Sequence, residues 1–310
     1  MDEKPPPRII VVTNQKGGVG KTTIVCNVAA AMAAAGRRVV VVDIDPQGNA
    51  SMQFGISRDS RLGAYELLTG KADLIQAAQP TRVPGLSVVP STRRQVLAEL
   101  DRDILEASHE TFLAGVASGA GLVDYVLVDC PPTIGVATVN AIVAADLLVI
   151  PVTLARFGLE GLRATRDVLR VLDPALEART VVLVNMVRAS QLGTGLPDIM
   201  KDFRDVALEV AIRWHPTLEA ATTGDAPLFA IDPHAAPCGD IAAATADLLG
   251  RFGDNAAPAK VRAPTPAKPV GHSVLIDLAA GLLLLLGALG GTMALLGDAP
   301  IQRLIALVID

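Results

Sequence analysis

Aromatic residues make up only 3% of this 310-residue chain, although 51% of it is hydrophobic. The core must then be built from Val, Leu, Ile and Ala, which suits a parallel sheet covered by Ala-rich helices. Cysteine is scarce too. Cys26, Cys130 and Cys238 lie far apart and form no CxxC pair, which argues against a zinc ribbon or a cysteine-held cluster within one chain. The four histidines, His109, His215, His234 and His272, show no metal-ligand spacing. Excess positive charge is missing as well. The formal net charge is −5, so any nucleic-acid surface must be a local patch rather than a property of the whole molecule. Met1 to Arg8 has no apolar stretch of the kind a secretory signal needs, and none is expected.

What is present alternates. Ile9 to Thr13 reads as a buried strand, Lys21 to Ala35 as an Ala-rich helix stopped by Gly36, and Val39 to Asp43 as a second apolar strand. Further short β-rich runs follow at Ser87 to Pro90, Tyr125 to Asp129, Leu147 to Pro151 and Val181 to Asn185. Helical stretches over Gln95 to Ala107, Leu159 to Leu172 and Asp240 to Phe252 separate most of them. Alternating strands and helices predict an α/β domain with a mainly parallel sheet and helices on both faces, ending near residue 253.

The composition changes there. Residues 254–273 are rich in Ala, Pro and Lys and read as a semi-extended linker. Residues 274–296 follow with a single charge, Asp277. A stretch of about 20 apolar residues is what a helix needs to cross a bilayer, so a transmembrane helix is expected, followed by a short tail over 297–310. Lys260, Arg262 and Lys268 precede the span and only Arg303 follows it. That bias places the large domain on the cytoplasmic side, anchored to the inner membrane by one C-terminal span. Gly287 and Gly291 form a GxxxG pair, a weak signal for helix pairing.

The densest chemical signal is Asn14-Gln15-Lys16-Gly17-Gly18-Val19-Gly20-Lys21-Thr22-Thr23, set between a strand and a helix. Glycines let the backbone wrap around phosphates with N–H groups pointing inward, and the helix that follows presents its positive end to the anion. Lys21 is placed to reach the β- and γ-oxygens, and the Thr22 hydroxyl to ligate Mg²⁺. The ordinary phosphate-loop pattern requires glycine at position 15, where this chain has Gln15, and an additional lysine, Lys16, stands at the mouth of the loop. Asp43, Asp45 and Asp129 fall at or just past the carboxyl ends of buried strands, where open α/β sheets place their ligands. A lone strand-end Asp usually caps a turn; three beside one phosphate loop point to water and metal handling.

These segments together resemble the ParA/MinD family of deviant Walker-A ATPases, from about Arg8 to Phe252. Val41 to Ala50, with its Asp-Pro-Gln-Gly-Asn wording, is similar to the family's switch I and points to the ParA branch. Tyr125 to Pro132 resembles the Walker B strand and switch II, and Val184-Asn185-Met186 falls where the family has a strand end near the adenine. The resemblance implies a P-loop NTPase three-layer fold and ATP with Mg²⁺ as cofactors, bound by Gly17, Gly18, Val19, Gly20, Lys21, Thr22, Thr23, Asp129 and Asn185. Thr22, Asp43 and Asp129 are the implied metal residues. Asp45 is the implied hydrolytic residue. Lys16 is expected to cross to the partner's phosphates in an ATP-dependent homodimer. A ParB-like or other stimulating protein is the implied partner.

ParA-type relatives also bind DNA nonspecifically, and Arg163, Arg166, Arg170, Arg188, Lys201, Arg204 and Arg213 are the candidates for such a surface here. The chain departs from the family at Pro216, where an arginine is common, and the stretch from Pro151 to Asp254 is net acidic. Two readings stand: an ATPase that positions DNA or a protein cargo, and a membrane-side recruitment switch for a division or secretion complex with no DNA role. A tyrosine kinase sharing this loop would carry a tyrosine-rich tail, and only Tyr65 and Tyr125 occur. An iron–sulfur carrier would need bridging cysteines. A nucleotide-binding scaffold conflicts with the intact Lys21, Thr22, Asp45 and Asp129.

Overall fold

The computed structural model describes residues 4–98, 108–154, 156–191, 203 and 205–254. Short β-branched runs form its centre. Arg8–Val12 (β1), Val39–Asp43 (β2), Gln79–Pro80 (β3), Leu86–Val89 (β4), Tyr125–Asp129 (β5), Leu147–Thr153 (β6) and Thr180–Asn185 (β7) pair in the order β3-β4-β2-β5-β1-β6-β7. All pairings are parallel except β3 with β4. The antiparallel strand is a two-residue edge piece containing Pro80, which suits an edge because proline cannot donate to a ladder. Its brevity left nothing for a period of two to reveal.

Side chains alternate across the sheet and build two cores. Ile9, Val11, Val40, Val42, Val126 and Val128 point to one face, where Tyr65, Leu67 and Phe112 pack on them. Ile10, Val12, Val39, Val41 and Leu127 point to the other, under Val25, Ala29 and Met32. The latter belong to the first helix, Lys21–Ala34 (α1), whose buried positions run almost without a break. A helix apolar all round is one that is covered on all sides. It lies between the sheet and the last helix described, which begins earlier than the sequence suggests, at Ala236, and ends at Gly250.

Most other boundaries move by one or two residues, and the helix expected from Leu159 begins at Arg156. Between Gln95 and Ala107, where a helix is expected, the described part is a 3₁₀ turn over Arg93–Leu97, and 99–107 lie outside the described residues. Short helices at Asn49–Gln53 (α2), Ala64–Leu68 (α3) and Leu74–Ala77 (α4) are too brief for hydrophobic periodicity to show. Four further helices lie between residue 109 and β7, namely His109–Ala117 (α5), Val136–Ala144 (α6), Arg156–Leu172 (α7) and Ala175–Ala178 (α8), and two short ones follow β7 at Pro216–Ala221 (α9) and Leu228–Ile231 (α10). Among the described residues no helix is long and apolar enough to cross a membrane. The expected linker beyond Asp254, the span over 274–296 and the tail over 297–310 lie outside the described residues.

Candidate nucleotide site

The topology decides where a ligand can sit. β1 has β5 on one side and β6 on the other, so the chain leaving β1 emerges at the point where connections diverge to opposite halves of the sheet. That exit is the segment from Thr13 to Gly20. Gly20 takes φ +89, and a Cβ there would stand 2.4 Å from the Asn185 amide nitrogen. Only glycine fits both demands. Asn185, at the end of β7 and buried, donates its side-chain N–H to the Val19 carbonyl at 2.8 Å. A Cβ on Gly17 or Gly18 would meet nothing within 4 Å, so that side of the loop is open to a ligand. α1 begins at once after Gly20 with no side-chain cap and no acid in its first turn, leaving its first N–H groups for an anion.

Asn14 holds the loop from below. It is fully buried, gives its amide to the Pro151 carbonyl at 2.6 Å and accepts the Lys16 N–H at 2.9 Å. The Lys16 side chain itself is exposed, and α7 passes close to it: a Cβ on Gly161 would lie 3.1 Å from the Lys16 Cβ. Thr165 of the same helix accepts the Gln15 N–H at 3.4 Å. Lys21, by contrast, is buried, with its Nζ 3.2 Å from the Asn14 carbonyl and 3.4 Å from the Lys16 carbonyl. Burial lowers its pKa, against the pull of Asp129.

The three acids converge. Asp43 and Asp129 are register partners on adjacent strands, and both are fully buried. Burial drives the Asp129 carboxyl well above its ordinary range, and the charge of Asp43 adds to this; the Thr22 hydroxyl, donating to Oδ2 at 2.8 Å, and Lys21 oppose it. Burial likewise raises Asp43 to about 6, although Ser51 donates both its N–H and its hydroxyl to Oδ2, at 2.8 and 2.7 Å. Asp43 Oδ1 accepts the Asp45 N–H at 3.2 Å. Both oxygens of Asp43 are therefore engaged in shaping the turn after β2. Asp45 Oδ1 accepts the Gln47 N–H at 2.9 Å, and Oδ2 takes no hydrogen bond among the described residues.

These residues fit a magnesium–phosphate group. Asp129 Oδ1 is buried and has no hydrogen-bond partner among the described residues, beside a threonine hydroxyl. Such an oxygen wants a donor, and a metal-bound water is one. No group of three acids, histidines or cysteines among the described residues could cage a metal by protein alone. Mg²⁺ seldom asks for that, since it keeps several waters and shares the rest with phosphate.

Beside Asn185 lies a cleft lined by Thr23, Met186, Trp214, Leu218 and Thr222. Met186 adopts φ 57, and the Arg188 guanidinium lies over the Trp214 ring at 4.6 Å. The resemblance named Asn185 and Met186 here, but the cleft's other walls, Trp214, Leu218 and Thr222, and the roles of Asn14, Ser51 and Thr165 were not read from the sequence, because their partners come together only in the fold. The basic candidates are largely neutralised. Arg166 and Arg170 both pair with Glu177, and Arg213 with Asp240. Arg163 is exposed, while Lys201 and Arg204 lie outside the described residues.

A family model described as an AAA domain matches residues 7–178. Over 202 residues the chain is 36% identical to the sporulation initiation inhibitor protein Soj of Bacillus subtilis, a match spanning 63% of this chain and 79% of that one. The chain belongs to the ParA/MinD family. It is also 35% identical over 211 residues to the chromosome partitioning protein ParA of Caulobacter vibrioides, covering 63% of this chain and 76% of the relative. Among solved structures, the septum site-determining protein MinD of Pyrococcus horikoshii, complexed with Mg-ADP, has the same fold. Its TM-score is 0.65 at 23% identity, over 82% of this chain and all of that one. Members of the ParA/MinD family are ATPases that use ATP with Mg²⁺, and they act as ATP-dependent dimers with partner proteins.

Proposed function

We infer that this chain is a ParA-type ATPase that hydrolyses ATP to ADP and phosphate, dimerises when ATP is bound, and positions a cargo from the cytoplasmic face of a membrane. The observation that carries the reading is the contrast between two lysines on one loop. Lys21 is buried among loop carbonyls, whereas Lys16 is exposed at the mouth with its backbone held by Asn14.

Bound ATP with Mg²⁺ would supply the γ-phosphoryl group and the positive charge that offsets its transfer. The backbone N–H groups from Gly17 to Thr22 cradle the phosphates, and Lys21 exchanges its carbonyl partners for phosphate oxygens. Thr22 and Asp129 would hold the metal. Asp45, held through Oδ1, directs Oδ2 at a water. Lys16 of each subunit reaches the other's phosphates and offsets charge developing on the transferred group, as an arginine finger does in trans. The tether is the stretch over 274–296, supported by its length, its lack of charge after Asp277 and the basic residues before it.

Lys16→Ala should abolish ATP-dependent dimers on a sizing column while the monomer still binds nucleotide. Unchanged dimerisation would sink the reading of Lys16. A second reading, a recruitment switch with no DNA role, is favoured by the pairing of Arg166, Arg170 and Arg213 with acids. Co-sedimentation of residues 1–254 carrying Asp45→Ala with DNA separates the two. Binding that needs ATP and weakens with salt supports a DNA cargo. No binding, with dimers intact, leaves a protein cargo and a ParB-like or other stimulating partner.

A further inference from the structure

The turn that carries Asp45 is gripped from behind by one guanidinium. Arg58, half-buried, donates from Nη2 to the Pro46 carbonyl, from Nη1 to the Gln47 carbonyl at 3.1 Å, and from Nε to the Ser91 carbonyl at 3.3 Å. Pro46 and Gln47 belong to the turn in which the Gly48 N–H reaches the Asp45 carbonyl at 2.9 Å and the Gln47 N–H reaches Asp45 Oδ1 at 2.9 Å. The third carbonyl comes from the segment after β4, which is bound to the same region by a second route. The Ser91 N–H donates to the Ser51 hydroxyl at 2.9 Å, and that hydroxyl donates to Asp43. Gly48 makes room for the grip. It takes φ +69, and a Cβ there would lie 2.7 Å from the Arg58 Nε.

We propose that Arg58 is a positioning residue for Asp45, a latch whose three hydrogen bonds keep the turn over 45–48 in one conformation so that Asp45 Oδ2 holds its aim at the reacting phosphate. The proposal rests on reading Asp45 as the residue that directs the attacking water. A planar guanidinium offers five donors in a fixed fork. A lysine ammonium, as a point donor, does not span carbonyls on two segments. Loss of the latch leaves the phosphate loop and Lys16 intact, since Arg58 touches neither, and frees the carboxylate to sample orientations that do no chemistry.

The test uses the full chain in mild detergent, with Arg58→Ala, Arg58→Lys, Gly48→Ala and the control Asp45→Asn. In nucleotide-free protein, hydrogen exchange over 45–49 should quicken about tenfold in Arg58→Ala and in Gly48→Ala, with β1 and β5 unchanged. The kcat for ATP should fall roughly tenfold in both, with KM and ATP-dependent dimerisation within about twofold of wild type. The double variant should be no worse than either single one, because both remove the same latch. Arg58→Lys should recover less than half of the loss, and it carries the test alone should Arg58→Ala not fold. Unchanged exchange, additive losses, or a rise in KM matching the fall in kcat would overturn the latch. Normal turnover by Asp45→Asn would overturn the reading of Asp45 and with it the catalytic half of the proposal; the exchange data would then decide whether Arg58 holds the turn.

Discussion

Asp43 shows how one side chain stores a pH dependence. An aspartate in an unfolded chain ionises near 3.8, and burial raises Asp43 to about 6 in the folded protein. Between those values the folded state keeps a proton that the unfolded state has released. Folding is therefore penalised progressively as pH rises through that window, and the penalty is complete above it. Urea denaturation of nucleotide-free protein should show wild type losing about 2 kcal/mol relative to Asp43→Asn between pH 4 and 6. A difference that stays flat would mean that Asp43 is already ionised in the fold at pH 4. The residues whose chemistry is local were legible in the sequence. Gly20, Lys21 and Thr22 stand in one short run whose spacing already specifies a strand, a turn and a helix start. Residues that work by reaching across the fold were not. Asn14 binds the Pro151 carbonyl and Ser51 joins Asp43 to Ser91, and no spacing in a linear chain encodes those meetings; Asn185 was named only through the family resemblance, and its bond to the Val19 carbonyl came with the fold.

At the scale of elements, α7 packs directly on the phosphate loop. Thr165 accepts the Gln15 N–H, and Gly161 leaves just enough room for Lys16. Gly161→Val should press on the Lys16 Cβ and on Asn14 Oδ1, and weaken ATP-dependent dimerisation by about tenfold. Analytical ultracentrifugation with and without ATP checks this; equal dimer constants would show that the helix yields without moving the lysine. The strands and long helices themselves were readable, since buried Val and Ile runs and Ala-rich stretches leave few alternatives. The short helices and the edge pair at Gln79–Pro80 were not, because a four- or five-residue element is too brief to show a period and is stabilised by its neighbours.

Across the whole domain, the edge opposite the nucleotide site is closed by its last described residue. Asp254 takes two bonds from Arg37, at the start of the segment leading into β2, and a third from the Tyr125 hydroxyl at 2.8 Å. The Phe252 ring packs on Tyr125 at 5.8 Å between centroids, with Arg8 over it at 5.7 Å. Tyr125→Phe keeps the ring and removes one bond to a charged acceptor. It should cost about 1.5 kcal/mol and lower the melting temperature by about 4 °C, measured by calorimetry, with ATP turnover unchanged. A shift in turnover would show that the two edges of the sheet communicate.

That clasp also gives the domain a front and a rear. β1 begins beside it at Arg8 and delivers the chain to the phosphate loop at the other end, so Asp254 stands at the rear of the domain while the working mouth faces forward. Two such domains brought mouth to mouth would leave both clasps, Asp254 included, away from the shared surface, so closing and parting would strain neither.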